Sequence, residues 1–133
     1  MMANPLTGAL GNAMGYVYVL GTVLLTVYGQ LVIKWQVSAA GAMPEDAAGK
    51  LLFLGRLLLN PWIVTGLAAA FAAAVCWMAA MTKLPLSHAY PFMSLAFVLV
   101  MVGSAAFFGE PITVLKAAGL ALIIAGIVVG SQG

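Results

Sequence analysis

Residues 16–35, YVYVLGTVLLTVYGQLVIKW, hold no charge before Lys34, and at intervals of four they set Tyr18, Thr22, Thr26, Gln30 and Lys34 into an apolar run. On an α-helix that interval stacks side chains above one another, each step turning by roughly 40°. The run predicts a membrane-spanning helix with one polar seam that climbs to a cation. An unpaired amide in hydrocarbon costs on the order of several kcal/mol, so Gln30 is not turned toward acyl chains. The seam therefore faces other helices or a wet cavity. We read it as the lining of a substrate pathway, with the rest of the chain arranged to hold it.

Composition agrees. Of the 133 residues, 65% are hydrophobic and 6% charged. Soluble domains carry about 25% charged residues, so the chain reads as an integral membrane protein. The net charge of +2 is dispersed, without a basic stripe, which excludes a nucleic-acid partner. A single cysteine, Cys76, excludes an internal disulfide and a multi-cysteine metal site. No H-x-x-H, C-x-x-C, P-loop or dinucleotide fingerprint occurs, and Ser87-His88 has no acid nearby. No catalytic residue, metal ligand or cofactor is assigned, and an enzyme is not expected. Residues 1–15 are rich in Gly, Asn and Pro and carry no Lys or Arg. They read as a short tail leading into the membrane, not as a cleaved signal.

The expected fold is an all-α membrane protein, one domain over residues 1–133. Its four transmembrane helices are expected near residues 16–35, 62–82, 89–109 and 112–131. A short interfacial helix, about residues 45–59, falls between the first and second. Pro44-Glu45-Asp46 opens that helix. Asn60-Pro61 closes it, because proline disfavours helix at the residue before it. Alanines at 68–70 and 72–74 thin the second span so that neighbouring backbones can come close. Four spans set both termini on one side. Lys34, Lys50, Arg56 and Lys116 flank the first and third loops, against Lys83 alone on the opposite face. The positive-inside rule then assigns those two loops to the cytoplasm.

Further candidates lie off the first span. Trp77 stands where it could wall a cavity or face lipid. Tyr90, Ser94, Phe97, Met101, Ser104 and Phe108 fall within about 80° of one face of the third span. That face suits a sugar or an amphiphile, and it equally suits ordinary helix packing. Glu110 is the only acid after Asp46. It either caps the fourth helix or acts at the site, pairing with Lys34 or Lys83 or binding a cationic amino group. Lys34 is a snorkelling end residue by position and the head of the seam by register. Gly119, Gly126 and Gly130 lie within about 40° of each other on the fourth span, with Ala117, Ala121 and Ala125 roughly opposite. Two small faces allow close packing on both sides, one inside the subunit and one as a dimer interface.

These residues carry a resemblance. Gly29-Gln30 with Lys34, the stretch LPLSHAYP at 84–91, GEPIT at 109–113 and the glycines from Gly119 to Gly130 resemble the drug/metabolite transporter superfamily. Within it the chain is similar to the four-span small multidrug resistance-like proteins, and most to subunits that flip aminoarabinose linked to undecaprenyl phosphate. The resemblance covers nearly the whole membrane portion. It implies a bacterial inner-membrane dimer, of identical or paralogous four-span subunits, whose cavity takes a polyprenyl-phosphate sugar. Small multidrug exporters place a proton-coupling glutamate in the first span, and here Thr26 stands at that position. A hydroxyl does not exchange a proton near neutral pH, which argues against proton-driven antiport of cationic drugs.

The reading is a flippase or flippase subunit. Its substrate-binding residues would be Thr22, Thr26, Gln30, Lys34, Trp77, Lys83, Tyr90, Ser94 and Glu110. Two rivals are an exporter of small cations or metabolites, and a non-transporting scaffold for a glycosyltransferase. The exporter lacks its acid; the scaffold would predict an apolar helix interface in place of the seam.

Overall fold

The computed structural model describes residues 5–133, with side chains from residue 13 onward. Helix α1 (Pro5–Ala40) is followed by α2 (Ala47–Leu58), α3 (Pro61–Met81), α4 (Leu86–Ala89), a 3₁₀ turn (Tyr90–Met93), α5 (Ser94–Phe108) and α6 (Val114–Gly130). All regular secondary structure among the described residues is helical, without strands. The segments Ala13–Ala40, Pro61–Met81 and Leu86–Phe108 are each long and apolar enough to cross a bilayer, and Val114–Gly130 is a shorter apolar helix. At 17 residues α6 stands at the short end of the usual spanning range, about 25 Å long. The chain is a multi-pass membrane protein, and the large apolar side chains left open on its helices face lipid or a partner.

Several boundaries move from their expected places. The tail expected over residues 1–15 lies outside the described residues at 1–4 and is helix from Pro5. The first helix also runs past Lys34-Trp35 to Ala40, because residues 36–40 contain no breaker. It stops where Gly41 takes φ +88, a backbone that side chains rarely tolerate. With 36 residues α1 is about 54 Å long, well beyond a bilayer. The third span begins a turn earlier than expected, at Leu86. Pro91 therefore sits inside the helical run and not at its start. Its missing N–H and its ring break the α pattern, and the chain tightens into the 3₁₀ turn before α5 resumes.

Local chemistry sets the other joints. Asp46 caps α2 by accepting from the Gly49 N–H at 2.7 Å. Asn60 caps α3, its Oδ1 accepting from the Trp62 and Ile63 N–H groups. Its amide also donates to Gln36 Oε1 at 3.0 Å, tying α3 to the protruding end of α1. Gly109, in the left-handed region at φ +66, ends α5. The Glu110 N–H then turns back to the Ser104 carbonyl at 3.3 Å. Thr113 caps α6, accepting from the Lys116 N–H at 3.2 Å. The cap expected of Glu110 is therefore filled by Thr113, which leaves the carboxylate to other work.

The helices assemble around α1 and α3, the most extensively packed pair. Their backbones meet where Gly29 faces Gly66: a Cβ on Gly29 would come within 3.0 Å of the Gly66 carbonyl oxygen. Ala69 and Ala73 continue the buried strip of α3. Toward the other end of the bundle Val19, Val23, Ala80, Leu84 and Ala89 form the core. Helix α5 crosses α1 with Gly103 against Leu31, and α6 rests mainly on α5 and the 3₁₀ turn with no residue buried. Gly119, Gly126 and Gly130 have nothing within 4 Å of an added Cβ.

Candidate functional site

Because α3 is thin and the third span is kinked, the three helices part above the Gly29–Gly66 contact. They leave a cleft of about 560 Å³, open on one side. Thr22 and Thr26 enter it from α1, and Ala70, Ala73, Ala74 and Trp77 form its α3 wall. Tyr90, Met93, Ser94 and Phe97 close it from the 3₁₀ turn and α5. Trp77 and Tyr90 meet edge to face with centroids 6.0 Å apart, an aromatic corner whose rings also present faces to the space. The cleft wall carries hydroxyls, an indole and a phenol but no charged side chain. Of its two open readings, the polar face of the third span thus lines a cavity at Tyr90, Ser94 and Phe97.

The seam residues fare differently from one another. Thr22 is buried, 3% exposed. Its hydroxyl bonds to the Tyr18 carbonyl at 2.9 Å and lies 3.3 Å from the Ala73 carbonyl on α3. One proton serves both oxygens, so Thr22 joins helices more than it offers itself to a ligand. Thr26, half-buried, is the seam hydroxyl that opens on the cleft. Gln30, between Thr26 and Lys34 on α1, is exposed and lines none of the described cavities.

Lys34 reaches Glu110. Its Nζ lies 3.9 Å from Glu110 Oε1, with 54% and 44% of the two side chains exposed. The αL turn at Gly109 is what carries the carboxylate back to the seam. Glu110 also lines a smaller cavity of about 190 Å³ with Ser104 and Lys116. Lys116 itself points its Nζ at the Pro111 carbonyl, 3.4 Å away. Glu110 thus pairs with Lys34 and shares a cavity with Lys116, while Trp35, next to Lys34 in the chain, packs on Trp62 with ring centroids 5.3 Å apart.

Lys83 belongs to the opposite end. Its Cβ neighbours Gly15, which is nineteen residues, about 28 Å, before Lys34 on α1. It is exposed and lines none of the described cavities, so the structure does not gather it with the other candidates. Sequence reasoning missed what surrounds it. Tyr16 Oη lies 2.6 Å from His88 Nε2, and both rings pack against Phe92. No spacing rule relates residues 72 apart; only the aromatic and imidazole types near two span ends could have hinted at it. Missed as well is an apolar groove of about 300 Å³ between Leu31, Val32 and Trp35 of α1 and Phe107 and Phe108 of α5.

Residues 9–131 match the EamA-like transporter family. The chain is 34% identical over 116 residues to the "Probable 4-amino-4-deoxy-L-arabinose-phosphoundecaprenol flippase subunit ArnF" of Yersinia enterocolitica, covering 85% of this chain and 90% of that one. It is 35% identical over 128 residues to the protein of the same name from Aeromonas hydrophila, covering 95% and 83%. It is 36% identical over 103 residues to the companion subunit ArnE of Aeromonas hydrophila, covering 77% and 84%. No solved structure matches the chain.

Proposed function

Because the chain belongs to the EamA-like transporter family, we propose that it is a subunit of a flippase of the bacterial inner membrane. Its cargo is a monosaccharide on a polyprenyl phosphate, of the aminoarabinose–undecaprenyl type named in its relatives. The observation that carries this reading is the Lys34–Glu110 pair together with a hydroxyl- and aromatic-lined cleft whose Thr26 stands eight residues, about 12 Å, before Lys34 on α1. A lysine is a point cation for phosphate, and a carboxylate beside it suits an ammonium. Hydroxyls and aromatic faces suit the two surfaces of a sugar ring. The prenyl chain stays in lipid on the open side, past Gln30.

The pair would be cytoplasmic, by the charge bias of the loops that hold it. Cargo would load at Lys34 and Glu110, move along Thr26, Ser94, Tyr90 and Trp77, and leave near Lys83. A second four-span subunit, identical or paralogous, would pack against α6. Relatives of both subunit names support the paralogous choice, and the uncovered Gly126 and Gly130 of α6 offer a close-packing surface.

Mass spectrometry of lipids that co-purify with the protein tests the reading. A polyprenyl phosphate or its glycosylated form is expected far above its share of the membrane. Recovery of bulk phospholipid alone, in membrane proportions, would count against it.

A further inference from the structure

The polar face of the third span is divided by one side chain. On one side is the uncharged cleft, and on the other the small cavity of Ser104, Glu110 and Lys116. Phe97 alone lines both. It is 57% exposed, so its ring is not locked in the core of this chain. Ser94 lies three residues before it, on the cleft side, and Met101 four residues after it, on the cavity side, so all three share one stripe of α5.

We propose that Phe97 is the movable partition between a charged loading station and an uncharged sugar station, an inference that rests on the flippase reading above. The two compartments differ in what they can hold. The cavity end has Glu110 with Lys34 and Lys116, and can hold opposite charges at once. The cleft has only neutral hydrogen-bonding groups and rings. From Ser94 to Ser104 is ten residues, about 15 Å along the helix. A head group that moves from one station to the other along this stripe passes the ring. A half-exposed phenyl turns between rotamers in picoseconds to nanoseconds, so it yields to a cargo already held at the charged end. While closed, it separates Glu110 and Lys116 from the cleft.

The test uses the full chain, reconstituted with its co-purifying partner in liposomes, with glycosylated polyprenyl phosphate as probe. Phe97→Trp, with a larger and slower ring, is expected to bind the lipid as wild type does and to deliver it about tenfold more slowly, a barrier rise of about 1.4 kcal/mol. Phe97→Ala removes the partition and is expected to pass head groups lacking the amino substituent nearly as fast as the native one. Should Phe97→Trp fail to fold, the alanine variant decides. Wild-type rate and selectivity in the folded variants would overturn the partition, as would binding and delivery falling together. Absence of lipid binding or delivery in the wild type would instead overturn the flippase reading itself.

Discussion

Lys34→Ala is expected to stop delivery of the lipid-linked sugar to the outer leaflet while the protein still accumulates in the membrane. The two halves of that expectation have separate causes. A hydrogen bond to a charged group contributes about 1.5–3 kcal/mol, roughly tenfold to hundredfold in rate. The pair with Glu110 is half-exposed and 3.9 Å apart, however, and such pairs stabilise a fold by about 1 kcal/mol or less. Glu110→Gln is expected to impair delivery of the amino sugar with little effect on accumulation. The exchange Lys34→Glu with Glu110→Lys separates the roles, since it restores an ion pair but inverts the seam. Quantifying sugar-modified outer-leaflet lipid by mass spectrometry, beside immunodetection of the protein, reads both. Normal delivery in Lys34→Ala, or rescue by the exchange, would show that the pair is only structural.

The second large effect lies at the helix crossing. A Cβ on Gly29 meets the Gly66 carbonyl oxygen at 3.0 Å, whereas one on Gly66 meets the Gly29 oxygen at 3.4 Å. The obstacle is backbone in both cases and cannot swing away. Overpacking a fitted contact costs about 1–3 kcal/mol. Gly29→Ala is therefore expected to destabilise more than Gly66→Ala, and Gly66→Leu to prevent the pair from closing. Gly55→Leu is the control, because nothing lies within 4 Å of its added Cβ. Thermal aggregation in mild detergent ranks the four. A Gly66→Leu variant as stable as wild type would place the crossing elsewhere.

What the sequence disclosed depended on whether a local rule applied. The four-residue period and absence of charge were enough for α1, and Asn60-Pro61 for the joint before α3, because these are properties of a single helix or turn. The Lys34–Glu110 contact was one of two pairings open to Glu110. Choosing it needed the αL turn at Gly109 and the crossing of α5 over α1, which no spacing encodes. Lys83 shared its charge type with Lys34 but not its end of the bundle. Gln30 follows the same period as Thr26 yet lies outside the cleft, since each step of four turns the seam by roughly 40°. The third span starts at Leu86 and not Ala89; a proline in the first turn and one a turn later look alike until the helix start is known. The partition at Phe97 was invisible, as it depends on two cavities meeting at one ring.

The claim beneath all of this is that the leading helix turns its polar edge to a water-filled, cargo-holding space. Cysteine accessibility tests it most directly, since Cys76 is the only native thiol and can be replaced by serine. Water-soluble thiol reagents need the thiolate, which does not form in hydrocarbon. Thr26→Cys and Gln30→Cys are expected to react and to be protected by added glycosylated polyprenyl phosphate, while Phe71→Cys, on the outer face of α3 at 74% exposure, stays unlabelled. Inert cysteines at 26 and 30, or labelling there that the lipid leaves unchanged, would contradict the account.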